Sequence, residues 1–357
     1  MPPAERTRLH RTALLVLPVL AALGVGILLL LAAGVPPFEA LWRLYEGAFG
    51  DSGDVANTLM AWVPLVLAAA GLCVTFAAGA WNIGIDGQIT FGAISAAAAA
   101  RLVPGSTAVV VPAVVLAGLA GGALWGLAAG VLRTHGGVNE IFGGLGLDFV
   151  ARGLAIYLII GPWQREGVAS TGGTDLFRRE AWLPTVGSTN LSILALVLAI
   201  AALAGTVVLL RGTRFGLELK AIGKGPASAI LLGVDATRRM LWSFLICGGL
   251  AGVAGAVQAI GFHHKLVPAV SGGYGFLALL VVLLVGLRQA WIAPVALFFA
   301  AILSGSTQLQ LRLDIDSSLG GVLQGVLVLL VLLARGWQLR RDRSTVAVVG
   351  SPTGEAG

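Results

Sequence analysis

The stretch AGAWNIGIDGQITFGA, residues 78–93, interrupts two apolar runs with an amide at Asn82, a carboxylate at Asp86 and a second amide at Gln88. Gly79, Gly84 and Gly87 stand among them, beside Trp81. Glycine-broken polar pieces inside apolar sequence mark discontinuous helices whose exposed backbone lines a cavity. Irregular backbone at membrane depth is tolerated only beside such a cavity or buried in protein. The stretch therefore predicts a broken helix near 80–90 in a chain that lives in lipid.

The rest of the composition agrees. Of the 357 residues, 57% are hydrophobic and 11% charged, against about 25% charged in an ordinary soluble domain. Runs such as ALLVLPVLAALGVGILLLLAAGV (13–35) exceed the roughly 20 residues that a helix needs to cross a bilayer core. A barrel would need strands of alternating polarity, and no run alternates. The fold class is all-α, a polytopic helical membrane protein. Expected spans lie near 12–35, 58–79, 86–103, 107–132, 139–160, 190–210, 240–260, 273–288, 291–311 and 318–336, about ten transmembrane spans in all. Residues 1–11 and 338–357 are expected to be cytoplasmic tails, the latter disordered, around a transmembrane domain at 12–337.

The charge of +6 reads as orientation and not as nucleic-acid binding, because the basic residues stand at the ends of apolar runs. RTRLHR (6–11) and RGWQLRRDR (335–343) are both basic, as an even number of spans with both termini inside requires. The loop 211–239 carries Arg211, Arg214, Lys220, Lys224, Arg238 and Arg239 and is expected inside. The segment 36–57, with Glu39, Glu46, Asp51 and Asp54 against Arg43, is expected outside, as is 161–189. Cys73 and Cys247 lie in apolar runs and read as packing residues. The first apolar run is longer than a signal-peptide core, so it reads as an uncleaved helix.

No P-loop, metal-spaced His/Cys cluster or nucleophile elbow is present, so no catalytic residue, metal site or cofactor is expected. Among ionisable residues within spans, Asp148 and Arg152 stand four apart and can pair on a helix. Glu140 opens a span in VNEI, a helix-start position. Asp86 fits two roles, a helix-start carboxylate favoured by the dipole or a solute contact. His263 and His264 beside Lys265 read as solvated. A second glycine-broken piece, VSGGYGFLALLVVLL (270–284), has the character of the first. The loop 211–239 holds two short helical stretches, LELKAIG (217–223) and ASAILLG (227–233), separated by Gly225-Pro226. Such a pair suits docking into a groove on a soluble partner, or it is an ordinary solvated connection.

The order of these motifs resembles the permease subunits of ABC importers for nucleosides and simple sugars, relatives of the ribose and branched-chain amino-acid permeases. WNIGIDGQITFGA resembles that family's F-N-I-G-V/I-E-G-Q segment, and GVNEIFGGLGLDFVA (137–151) its G-V-N-E-V-I-x-T-x-M-L-N-Y-I-A segment. TRFGLELKAIGKGPASAILLGV (213–234) resembles its cytoplasmic coupling loop, and GGLAGVAGA (248–256) and SGGYGF (271–276) follow in order. The resemblance implies a multi-pass subunit of a bacterial inner membrane that does no bond chemistry and has no cofactor of its own, ATP being used by a partner. It implies cytoplasmic ABC ATPase subunits, a second permease subunit (homo- or heterodimer) and an extracytoplasmic solute-binding protein. Nucleosides, purine nucleosides first, or related simple sugars are the expected cargo. The implied pathway residues are Trp81, Asn82, Asp86, Gln88, Asn139, Glu140, Asp148 and Tyr274. The implied ATPase-coupling residues are Arg214, Phe215, Gly216, Lys220, Ala221, Ile222, Gly223, Pro226 and Ala229. Two positions depart from the pattern: Gly146-Leu147-Asp148 replaces M-L-N, and Leu277 replaces an Asp after YGF. The alternative from another class is an ion-coupled secondary transporter or channel for a small polar solute, against which stand the coupling-loop motif and the lack of a proton relay.

Overall fold

Small residues at helical spacing decide how the centre of this chain packs. The computed structural model describes residues 36–165, 172–286 and 288–313, with positions 24, 27, 28, 31 and 325. Regular structure among the described residues is helical: α1 (Pro37–Phe49), α2 (Ser52–Ala77), α3 (Ile85–Leu102), α4 (Thr107–Thr134), α5 (Glu140–Ile160) and α6 (Ile193–Gly212). Then follow α7 (Arg214–Lys224), α8 (Pro226–Leu231), α9 (Ala236–Val257) running into a π-turn (Gln258–His263), α10 (Tyr274–Val285) and α11 (Ile292–Leu313).

Each of the eight expected spans between 58 and 311 coincides with one of these helices. Six helical segments, in α2, α4, α5, α6, α9 and its π-turn, and α11, are long and apolar enough to cross a membrane. Two are not. α3 carries Asp86, Gln88 and Arg101, and α10 has only 12 residues, about 18 Å at 1.5 Å per residue, or little more than half a bilayer core. The first and last expected spans hold only the isolated described positions 24, 27, 28, 31 and 325, and both tails lie outside the described residues.

Among the described residues, 48–301 belong to one compact unit and 36–47 with 302–313 to a second. In the larger unit α3, α4 and α9 pack most extensively. Lipid offers no hydrophobic force to press helices together, so close van der Waals contact must do it, and small residues permit the approach. Gly118, Gly122, Gly126 and Gly130 form a stripe along α4, and Gly248 and Gly252 face it from α9. A Cβ on Gly252 would overlap the Gly118 carbonyl and stand 2.9 Å from Gly122 Cα, and one on Gly126 would stand 2.9 Å from Gly248 Cα. α2 lies alongside, buried for most of its length, whereas only a minority of the residues of α5 and α6 are buried.

Segments expected on one side of the membrane meet in the fold. Asn190 Nδ2 donates to Asn57 Oδ1 at 3.2 Å, and Arg178 Nη2 to Val103 O at 2.7 Å, joining 172–192 to the ends of α2 and α3. The backbone N–H groups of Phe177 and Thr174 bond His264 O and Leu266 O. His264 is half-buried and stacked on Trp182 with ring centroids 3.8 Å apart, so the solvated reading of that residue gives way to a packed one. Burial lowers its pKa. At the opposite end Gly223 abuts Ala77 and Gly79.

Replacing Gly252 by Val is expected to lower the thermal unfolding midpoint of the detergent-purified chain sharply, because backbone on two sides leaves no room. Gly205→Ala on α6, where an added Cβ meets nothing within 4 Å, is expected to leave the midpoint unchanged or raised. Differential scanning fluorimetry of the two variants checks the contrast.

Candidate functional site

The turn between α2 and α3 is held by its own polar side chains. Gly79 takes φ +75°, a backbone conformation that suits glycine, and the chain runs on to Trp81, Asn82 and Gly84 before α3 starts. Asn82 Nδ2 donates to Gln88 Oε1 and Gln88 Nε2 to Asn82 Oδ1, both at 3.0 Å. This closed amide pair also donates from Asn82 Nδ2 to Cys247 Sγ at 3.1 Å. Both amides are buried, where an unmade hydrogen bond would cost about 1–3 kcal/mol. Trp81 turns the other way, 47% exposed, with its ring 5.3 Å from that of Phe76.

Asp86 is fully buried in the first turn of α3, yet its hydrogen bonds go to other segments. Oδ2 accepts from Ser271 Oγ at 2.8 Å and from Arg152 Nη2 at 2.7 Å. Oδ1 accepts from Gly275 N at 3.0 Å, a free amide in the opening turn of α10. A carboxylate at a helix N-terminus is favoured by the dipole and by unpaired N–H groups. Asp86 thus serves the start of α10 and not only the start of its own helix. The two glycine-broken pieces meet here. Gly275 has no room for a Cβ, which would stand 2.7 Å from Asp86 Oδ1, and Gly87 presses on Asp148 in the same way, with 2.8 Å to its Cα.

Arg152 draws α5 into the cluster. Its Nε donates to Asp148 Oδ1 at 3.1 Å, so the expected pair forms, with Asp86 as a further partner. Two carboxylates share one guanidinium, and the second charge on Asp86 is met by the Ser271 hydroxyl and the Gly275 N–H. Such full satisfaction is what a buried charge requires.

The remaining expected pathway residues lie around this node. Asn139 caps α5 by accepting from Ile141 N at 2.9 Å. Glu140 pairs with Arg133 at 2.8 Å and accepts weakly from Trp81 N at 3.4 Å, tying the turn to α4 and α5. Tyr274 is buried at the first position of α10. Asp148 is buried. Trp81 alone among the eight has a large exposed ring. Ser271, Gly275 and Cys247 went unmarked as partners in the sequence. SGGYG signalled a break in the chain, but nothing marked its pairing with residue 86.

The expected helix pair in 211–239 is present as α7 and α8. Thr213 caps α7, accepting from Gly216 N at 3.2 Å, and Gly216 lets the helix fold back on α6, since a Cβ would stand 2.6 Å from Leu210 Cα. Lys220 Nζ donates to Leu210 O. Arg214 pairs with Glu218 at 2.9 Å, Arg239 also pairs with Glu218, and the Arg239 guanidinium lies over Phe215 at 5.3 Å. Ile222, Ala229 and Leu219 are buried against the chain itself, Ala221 is half-buried, and Pro226 opens α8 exposed. Leu217, Ile230, Leu231 and Leu232 point outward, at 64%, 58%, 88% and 81% exposure. Gly223, expected among the coupling residues, packs on the end of α2, where a Cβ would stand 3.0 Å from Gly79 N.

Comparison with known proteins gives a consistent result. A family model described as branched-chain amino acid transport system / permease component matches residues 55–332. The chain is similar to the glucose ABC transporter permease protein TsgB13 of Haloferax volcanii, with 30% identity covering 89% of this chain and 86% of that one. It is also similar to the nucleoside ABC transporter permease protein NupB of Lactococcus lactis, with 28% identity over 79% of this chain and 80% of that one. The guanosine ABC transporter permease protein NupP of Bacillus subtilis is 24% identical over 91% and 94% of the two chains.

Gly275→Ala is expected to push α10 away from Asp86 and break the Gly275 N–H bond, while Ser271→Ala removes one donor and leaves the helix in place. The first should lower the unfolding midpoint by more than the second, the latter costing about 1–3 kcal/mol. Equal midpoints for the two variants and the parent would show that the node does not hold the helices.

Proposed function

The chain belongs to the family of branched-chain amino acid transport system permease components, and from that premise we propose that it is the membrane-spanning subunit of an ATP-driven importer. Its cargo in this reading is a nucleoside, purine nucleosides first, or a related simple sugar, since similar chains are named for nucleoside, guanosine and glucose transport. It works in the cytoplasmic membrane with ATPase subunits, a second permease subunit and an extracytoplasmic binding protein. Each ATPase cycle would alternate access of a route beside the broken segment, with Trp81, Asn82, Asp86, Gln88, Asn139, Glu140, Asp148 and Tyr274 forming or shaping its wall. In a single chain all but Trp81, Asn139 and Glu140 are buried, so their part is to fix the wall's shape and to open as the segments separate.

The observation that carries the coupling half of this reading is the helix pair α7–α8. The pair is bedded on the end of α2 at Gly223, while Leu217, Ile230, Leu231 and Leu232 are exposed. Four exposed large aliphatic side chains on two short adjoining helices suit a groove on a soluble partner. Motion of the pair would press directly on Ala77–Gly79, the start of the turn that leads to Asp86. Gly216, Ile222, Gly223 and Ala229 then seat the pair on the permease, while Arg214, Phe215, Lys220, Ala221 and Pro226 frame the outward surface.

Replacing Leu231 and Leu232 together by Asp is expected to leave insertion and thermal stability unchanged, because both are exposed. Solute-stimulated ATP hydrolysis by the reconstituted complex should fall at least about tenfold, as loss of anchoring side chains at an interface does. Unchanged stimulation would reduce α7–α8 to a solvated connection. Uptake driven by an ion gradient without any ATPase would instead mark a secondary carrier. A reporter fused after residue 225 should read cytoplasmic, and one after residue 175 extracytoplasmic; the reverse would overturn the orientation.

A further inference from the structure

Arg152 lies near the middle of α5, a helix long and apolar enough to span a membrane. Its side chain is 40% exposed, while its partner Asp86 is fully buried and Asp148 is 5% exposed. An exposed guanidinium at that depth is costly in hydrocarbon, and long basic side chains escape by reaching for the interface. Arg152 cannot, because Nε and Nη2 are pinned to Asp148 and Asp86 at 3.1 and 2.7 Å. Its Nη1 makes no hydrogen bond among the described residues, so two N–H donors face outward.

The surrounding surface narrows what can meet them. Phe149 and Ile156, on either side of Arg152 along α5, are exposed and offer no acceptor. Among the exposed side chains of α5 only Tyr157 carries one, so a second copy packed face to face would leave the guanidinium nearly unanswered. Water, or an oxygen-rich molecule in water, answers it.

Resting on the permease reading above, we propose that the outward edge of Arg152 lines the aqueous route and is a specificity-determining contact, donating hydrogen bonds to hydroxyl or carbonyl oxygens of the carried nucleoside or sugar. Asp86 and Asp148 then act as positioning residues. They hold the guanidinium plane edge-on to the route, so a lysine in its place keeps the charge and loses the planar fork. The same geometry links cargo to gate. A solute drawing on Arg152 competes with Asp86, and any loosening of that pair frees the start of α10.

The test has two arms. Ile156→Cys and Phe149→Cys place thiols on the two sides of Arg152, at exposed positions, and the parent chain with buried Cys73 and Cys247 is the unlabelled control. A charged, membrane-impermeant methanethiosulfonate reagent should label Ile156→Cys in reconstituted complexes, and guanosine or glucose supplied with the binding protein should slow that labelling. In the second arm Arg152→Lys, which preserves folding through its charge, should raise the KM for uptake about tenfold or more, the scale of a lost hydrogen bond to a charged group. Its insertion and the affinity of the binding protein should not change. No labelling at either cysteine, or an unchanged KM in Arg152→Lys, overturns the inference and places the side chain against lipid or a protein neighbour. Labelling is read whether or not the complex transports. Labelling of Ile156→Cys in a complex whose parent never moves solute counts against the permease reading alone.

Discussion

A single buried carboxylate is the constraint on which the rest of this structure turns. Asp86 cannot stay charged within a membrane-spanning fold unless its oxygens are answered, and the answers come from three distant segments. Arg152 supplies them from α5, Ser271 from the loop before α10, and Gly275 from the backbone of α10 itself. Removing one partner of a buried charge pair costs about 3–5 kcal/mol, so the carboxylate fixes where α10 begins and how deep. That helix is too short to span alone, and its start has nowhere else to satisfy its free amide. Polarity that looks out of place in the sequence is what lets two broken segments end against each other.

The glycine contacts around the node divide the chain into parts of different character. Between α3, α4 and α9 the backbones touch along a seam of Gly92, Gly118, Gly122, Gly248 and Gly252, and nothing there can slide without collision. Between the turn 78–84, α5, α7 and α10 the contacts are fewer and are made by hydrogen bonds, ion pairs and isolated glycines. This second set runs from the exposed leucines of α8 through Gly223 and Gly79 to Asp86 and Arg152. A close-packed glycine seam with a polar set of contacts beside it suits the alternating access proposed for this subunit.

Much of this was legible in the sequence. Apolar length marked eight helices that the structure describes, the Asp148–Arg152 spacing marked their pairing, and Gly225-Pro226 marked the break between α7 and α8. The breaks at 78–84 and 270–273 were legible as breaks, because glycine and polar residues have few other reasons to stand in apolar runs. Their partnership was not, since Asp86 and Gly275 are far apart along the chain and a backbone N–H leaves no trace in composition. The inward turn of Ile222 and Ala229 was equally hidden. A short helix with apolar residues on two sides gives no sign of which side meets its own chain, and only the position of Gly223 against α2 decides it.

The central claim is that Asp86 and Arg152 act as one unit joining α3, α5 and α10. A double-mutant cycle of Asp86→Asn, Arg152→Gln and the pair, read as unfolding free energy of the purified chain in detergent, tests it directly. The account predicts that the double variant is more stable than the sum of the single losses implies, with a coupling on the order of 1–3 kcal/mol. Additive losses within about 0.5 kcal/mol would mean that the two side chains stabilise the fold independently, and would contradict it.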